Sequence, residues 1–180
     1  QDSSDNSGQA SSSSDSSACG GLEGYEYRIE LNINSDKVCG SGTHTNFPVL
    51  IDITNDDLRS GSNGGNVQNS NGYDIVFTDS DGITELNFDM NGYDASSGSY
   101  QAWVQIPSLS TSSDGTIYLY FGNSAINSNQ SSNSVWTDYL GVWHMDDNPS
   151  SSDLMDASSY SHDGDFKGGM NSGDQVDAII

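Results

Sequence analysis

The sequence predicts an all-β protein, an antiparallel β-sandwich of the jelly-roll or immunoglobulin-like kind. Three observations carry that prediction. Apolar and polar residues alternate at period two in several segments of strand length, Asp-Gly and other turn signals separate those segments, and no stretch sustains a helical period outside residues 54–60.

Residues 1–20 read as a flexible leader. Positions 1–18 hold nine Ser, three Asp and no aliphatic side chain larger than Ala, which is too little apolar surface to offset the entropy of ordering. The sandwich itself is expected over 21–136. At 25–34, Tyr25, Tyr27, Ile29, Leu31 and Ile33 alternate with Glu26, Arg28, Glu30, Asn32 and Asn34, the pattern of a half-buried strand. A second strand is expected at 47–53. The stretch Thr54-Asn-Asp-Asp-Leu58 has a cap residue followed by acids, which suits one helical turn. Residues 73–78 and 83–88 flank Asp79-Ser-Asp81-Gly82 and read as a hairpin whose glycine accepts a positive φ. At 100–106, Ala102, Val104 and Ile106 fall on one side and Gln101, Trp103 and Gln105 on the other. After the turn Ser113-Asp-Gly115 comes a strand at 116–121. A polar stretch then leads to a last apolar cluster, Val135-Trp136 and Tyr139-Leu-Gly-Val-Trp-His-Met145. The roughly forty residues from Tyr139 onward are too few to close a second sandwich alone.

Four Lys and Arg stand against 26 Asp and Glu, a formal net charge of −22, and only 32% of residues are hydrophobic. The charge excludes a nucleic-acid binder. No apolar run approaches the roughly 18–20 residues of a membrane helix, so no membrane span is expected in this segment. The even pair Cys19 and Cys39, in a chain rich in Ser, Asn and Asp, reads as a disulfide formed in an oxidising compartment. The alternative is two unrelated free thiols. Two thiols without a CxxC spacing or a His pair do not make a zinc site.

The segments Asn46-Phe-Pro-Val-Leu50, Asn63-Gly-Gly-Asn-Val-Gln-Asn-Ser-Asn-Gly-Tyr-Asp-Ile-Val-Phe-Thr-Asp-Ser-Asp-Gly82, Ala102-Trp-Val-Gln-Ile-Pro-Ser-Leu109 and Thr116-Ile-Tyr-Leu-Tyr-Phe-Gly-Asn123 resemble a bacterial domain of unknown function found in exported multidomain proteins. The resemblance runs over roughly 25–136. From 137 to 180, Tyr139-Leu-Gly-Val-Trp-His-Met145 and Asp156-Ala-Ser-Ser-Tyr-Ser-His-Asp-Gly164 are similar to the opening of a concanavalin A-like or laminin G-like sandwich. The resemblance implies a secreted, cell-surface or periplasmic location and further domains in the same polypeptide. It supplies no catalytic motif.

The aspartates at 146–165 offer hard oxygen ligands, and concanavalin-like sandwiches often hold calcium. Asp146, Asp156 and Asp163 are therefore the candidate calcium ligands. Asp79-Ser-Asp81-Gly82 has the alternating oxygens of a calcium loop but lacks the later Glu, and a hairpin turn explains it. His44, His144 and His162 have no motif partner, and His144 between Trp143 and Met145 reads as a packed histidine at a junction. No GxSxG elbow supports a serine hydrolase.

Aromatic side chains beside Asn- and Gly-rich loops remain. Sugars present apolar C–H faces edged by hydroxyls, which Trp or Tyr rings stack upon. Trp103, Tyr73, Tyr93 and Tyr100 are thus the candidate ligand-binding residues. The expected function is a non-catalytic exported module that recognises glycans or surface polymers. The alternatives are an extracytoplasmic sensor or coupling domain of a MotA/TolQ/ExbB-type proton-channel protein and an accessory module of a polysaccharide-degrading enzyme.

Overall fold

The computed structural model describes residues 21–150 and 153–174. The leader expected over 1–20, Cys19 included, lies outside the described residues. Six strands, β1 (Tyr27–Ile33), β2 (Thr43–Thr54), β3 (Val76–Thr78), β4 (Phe88–Asp94), β5 (Ser99–Ser110) and β6 (Gly115–Phe121), form two antiparallel three-stranded sheets ordered β1-β6-β3 and β2-β5-β4. The predicted antiparallel β-sandwich is the fold observed. The helical turn read at 54–58 is a 3₁₀ turn at Asp56–Leu58, with the Asn55 side chain accepting from the Asp57 N–H.

Alternation in β5 decides which residues fill the interior. Tyr100, Ala102, Val104 and Ile106 are buried, and they meet Phe77, Leu119 and Phe88 from the neighbouring strands in one apolar cluster. Phe77 of β3 packs edge-on against Phe88 of β4 at 5.4 Å, joining the two sheets. The β2–β5 ladder runs from Thr43↔Ser110 to Thr54↔Ser99, longer than the apolar pattern predicts. At its 43–45 end Thr43, Thr45, Ser108 and Ser110 carry hydroxyls, while Leu109, opposite His44, is buried in the core. Between the Thr45–Ser108 and Phe47–Ile106 pairs, Asn46 takes a φ of 51° opposite Pro107, which has no N–H to offer the ladder.

The turn expected between 73–78 and 83–88 is present, with Gly82 at a φ of 74° and the Asp79 N–H donating to the Thr84 carbonyl at 2.9 Å, but the pairing is shorter than the hairpin expected. Thr78↔Glu85 is an isolated bridge, flanked by Leu86 N–H donating to the Phe77 carbonyl at 2.9 Å. The chain then crosses to the other sheet, where Phe88 is buried against Phe77. There β4 pairs with β5 through an irregularity between Met90 and Gly92, which absorbs the extra residue Asn91.

Asp74 ties these parts together. It has no exposed surface, and its carboxylate accepts from the backbone N–H groups of Gln68 (2.8 Å), Asn69 (2.9 Å) and Gly122 (3.1 Å). One buried anion thereby joins the long β2–β3 connection to the end of β6. Gly72, two residues earlier, has a φ of 72°, and a Cβ there would meet the Tyr93 ring at 2.8 Å. Both the turn and the close approach demand glycine.

Asp74→Ala leaves the buried Gly122 N–H without a partner, at about 1–3 kcal/mol, and hands the more accessible Gln68 and Asn69 donors to water. Against a domain stability of about 5–15 kcal/mol, the urea midpoint should fall clearly, with Asp74→Asn intermediate. A wild-type midpoint for the alanine variant contradicts this role. Among the described residues, none beyond Ile126 joins the sandwich's main apolar cluster, so limited proteolysis should cut after Asp146 well before any site between Phe47 and Phe121.

Candidate functional site

Directly opposed residues of antiparallel strands face the same way. The pairs Leu50↔Trp103 and Asp89↔Trp103 therefore set Leu50, Trp103 and Asp89 in one row across the outer face of the β2-β5-β4 sheet. Amide side chains frame the row. Gln101 Nε2 donates to Asp52 Oδ2 at 3.1 Å, and Asn87 Nδ2 donates to Gln105 Oε1 at 3.1 Å.

The segment after β6 folds over part of this face. Ser132 N–H donates to the Phe88 carbonyl (2.8 Å) and Met90 N–H to Ser131 Oγ (2.9 Å), which fastens the segment along the β4 edge. A 3₁₀ turn, Asn133–Trp136, capped by the Ser132 hydroxyl, then buries Trp136 edge-on against Trp103 at 5.6 Å. Asp89 accepts from Trp136 Nε1 at 2.8 Å and pairs with His144 Nε2 at 2.9 Å. The His144 ring lies 5.9 Å from Trp136. Its hydrogen bond to Asp89 raises the His144 pKa; burial opposes the rise, and the charges of Asp89, Asp146 and Asp147 add to it. The packed junction histidine expected from the sequence is what stands here.

Beside the covered part, a groove of about 490 Å³ follows the β2 edge, walled by Val38, Phe47, Pro48, Leu50, Trp103 and Leu109. Asn34, Lys37 and His44 line it as well. Phe47 is 44% exposed, and the His44 ring stands 5.8 Å from it. His44 Nε2 donates to the Cys39 carbonyl at 3.0 Å, which leaves Nδ1 to accept when the ring is neutral. A second, more polar hollow of about 430 Å³ lies at the strand ends, with Ser108, Ser113, Asp79 and Asp114 in its lining and Ile33 and Leu109 common to both.

Of the four aromatics singled out in the sequence, Trp103 alone lines the groove. Tyr100 is corrected: it has no exposed surface and packs on Phe77 (6.1 Å) and Tyr93 (6.2 Å), since it shares the inward side of β5 with Ala102 and Val104. Tyr93 is half-buried and donates its hydroxyl to the Leu58 carbonyl at 2.8 Å. Burial, then the charges of Asp74 and Asp94, push that hydroxyl up to about 12. Tyr73 is half-buried at the entry to β3, outside the groove lining.

The candidate calcium ligands organise backbone. Burial pushes the Asp156 carboxyl up, but the N–H groups of Val142, His162 and Ser158 and the Ser158 hydroxyl outweigh it and hold the group below the usual carboxylate range. Asp163 Oδ1 accepts from the Asp156 N–H at 2.9 Å, while Asp146 contributes to the field on His144. Among the described residues, no group of three or more His, Cys, Asp or Glu is placed to hold a metal ion. Cys39 is exposed and free, its expected partner Cys19 being outside the described residues.

Sequence reasoning missed Asp89, Trp136, Phe47, Leu50, Lys37 and His44 as neighbours of Trp103. The signal for Leu50 was available, because it sits out of phase with Val49 and Ile51. The overlay of Trp136 on Trp103 depends on a loop path that no periodicity encodes.

Fold and face together define a two-sheet antiparallel sandwich domain with a tryptophan-centred outer surface. Residues 71–159 match the family described as Domain of unknown function (DUF2341). The match continues past residue 136 to Ser159 and so takes in Asp74, Asp89, Trp103, Trp136 and His144. No curated protein and no solved structure matches the chain.

The folded pKa of His144 lies above its ordinary 6.5. The His144–Asp89 pair therefore stabilises the docked segment fully below about pH 6.5, and the contribution is lost as pH rises through the raised folded value. Tryptophan fluorescence between about pH 5 and 9 should follow this titration, and His144→Gln should flatten it. The same titration in that variant would sink the assignment.

Proposed function

We propose that this chain is an exported or cell-surface sandwich module that binds glycans or surface polymers without turning them over. The observation that carries the reading is the groove on the β2 edge, where Trp103, Phe47 and Leu50 supply an apolar wall and His44 a hydrogen-bonding rim. A pyranose has that same division between an apolar face and hydroxyl edges. The volume of about 490 Å³ lies within the range of about 300–1,000 Å³ typical of small-molecule sites.

Two further points support binding over hydrolysis. Among the described residues, no carboxylate lines this groove, whereas glycosidic cleavage uses a facing pair. The most enclosed acids, Asp74, Asp89 and Asp156, accept hydrogen bonds from the protein itself.

A glycan array probed with the purified chain, with calcium and with a chelator, should show weak binding. Trp103→Ala should weaken it about tenfold, a loss of about 1.4 kcal/mol in keeping with an aromatic contact, with near-ultraviolet circular dichroism reporting whether the sandwich persists. Release of reducing sugars would overturn the non-catalytic reading. A blank array would shift the assignment to an extracytoplasmic coupling domain of a MotA/TolQ/ExbB-type assembly.

A further inference from the structure

We infer that the ligand of the β2-edge groove carries a single carboxylate beside its apolar face, as a uronic acid residue in an otherwise neutral glycan does. This rests on the reading of the groove as a sugar site.

The argument starts from scarcity. The chain has four Lys and Arg among 26 Asp and Glu, so a cation meets an acid almost anywhere on its surface. Arg59 pairs with Asp56 at 2.6 Å and Lys167 with Asp165 at 2.8 Å. Arg28 lies 4.7 Å over the Tyr118 ring and donates to the Tyr120 hydroxyl at 3.3 Å. Lys37 is the exception: among the described residues no acid or aromatic ring pairs with it, and it lines the groove.

The position of Lys37 is fixed by the backbone that carries it. It closes the 3₁₀ turn Ser35–Lys37, whose first residue is anchored by Asp114 Oδ1, which accepts from both the Ser35 N–H and its hydroxyl at 2.8 Å. Asn34 caps the turn through the Asp36 N–H. A tethered ammonium group thus stands beside the Trp103–Phe47 wall in a groove whose lining holds no carboxylate. Asp36 in the same turn and Asp114 beside it oppose an incoming anion, as do the more distant acids, whose field is screened over about 8 Å at physiological salt; each further charge on a ligand adds to that repulsion, while only the first meets Lys37. One carboxylate on a neutral scaffold fits both conditions; a densely charged polymer does not.

The test compares two oligosaccharides that differ only in a terminal glucuronic acid or glucose, titrated calorimetrically into the full chain. An exposed charge pair predicts about two- to fivefold tighter binding of the acid. Lys37→Gln should bring the two probes to the same affinity and Lys37→Arg should keep them apart. Trp103→Phe, which retains the packing on Trp136, should weaken both alike. Equal affinities in the wild type, or a preference for the acid that survives Lys37→Gln, would overturn the carboxylate assignment and leave the sugar site standing. Binding of neither probe would instead remove the sugar site, and this inference with it.

Discussion

The buried carboxylate of Asp74 is the constraint on which the rest of the sandwich depends. With 32% hydrophobic residues, the chain has a modest core, and the long connection from β2 to β3 cannot be held by packing alone. Asp74 gives that connection a fixed end by accepting from Gln68, Asn69 and Gly122. A buried anion is tolerable only when such donors surround it. Its charge reaches further. Burial pushes the hydroxyls of Tyr25 and Tyr93 up to about 12, and the Asp74 charge adds to the rise in both, after Glu85 at Tyr25 and ahead of Asp94 at Tyr93. Tyr93 uses its proton on the Leu58 carbonyl, at the far end of the same connection.

The unusual composition follows from how the loops close. Asn55 accepts from Asp57 N–H, Asn69 from Asn71, Asp94 from Ser96, Asn123 from Ala125 and Asn129 from Ser131, each two residues on. Asp81 does the same for Ile83 and adds Thr84. These Asx turns let side chains stand in for the sheet partners that loop backbone lacks. Asp81, in the loop whose alternating oxygens invite a metal-binding interpretation, is thereby committed to shaping its turn.

The strands were legible wherever one face is buried and the other wet. β1 and β5 alternate, β6 does so until its last three residues, Leu119 to Phe121, are all buried, and the observed bounds fall within a few residues of the periodic segments. β4 was misplaced because its sequence, Phe88 to Asp94, carries a bulge and a glycine that break the period. β3 is buried on every residue, so it shows a continuous apolar run with no alternation to phase it. Trp103 was legible as an outward residue from its place between Ala102 and Val104. Its covering by Trp136 was not, because that contact depends on two hydrogen bonds from residues 131–132 to the edge strand and on no pattern within the segment itself.

Trp103 belongs to two structures at once. It lines the β2-edge groove, and it is the surface against which Trp136 is packed, with Asp89 holding the Trp136 indole and His144 together. An indole has little freedom once one edge is fixed, so the docked segment holds the ring ready for whatever enters the groove. Linkage makes this reciprocal: an occupant that favours the docked orientation of Trp103 favours the docking of residues 133–145 by the same free energy. The two ends of the coupling lie on different parts of the chain. The junction side, Asp89, Trp103, Trp136 and His144, falls inside the matched segment 71–159, while the β2 wall and Lys37 fall before it. A tryptophan held from one side by the junction and open on the other to β2 can therefore keep a constant anchor while the opposite wall sets which ligand it meets.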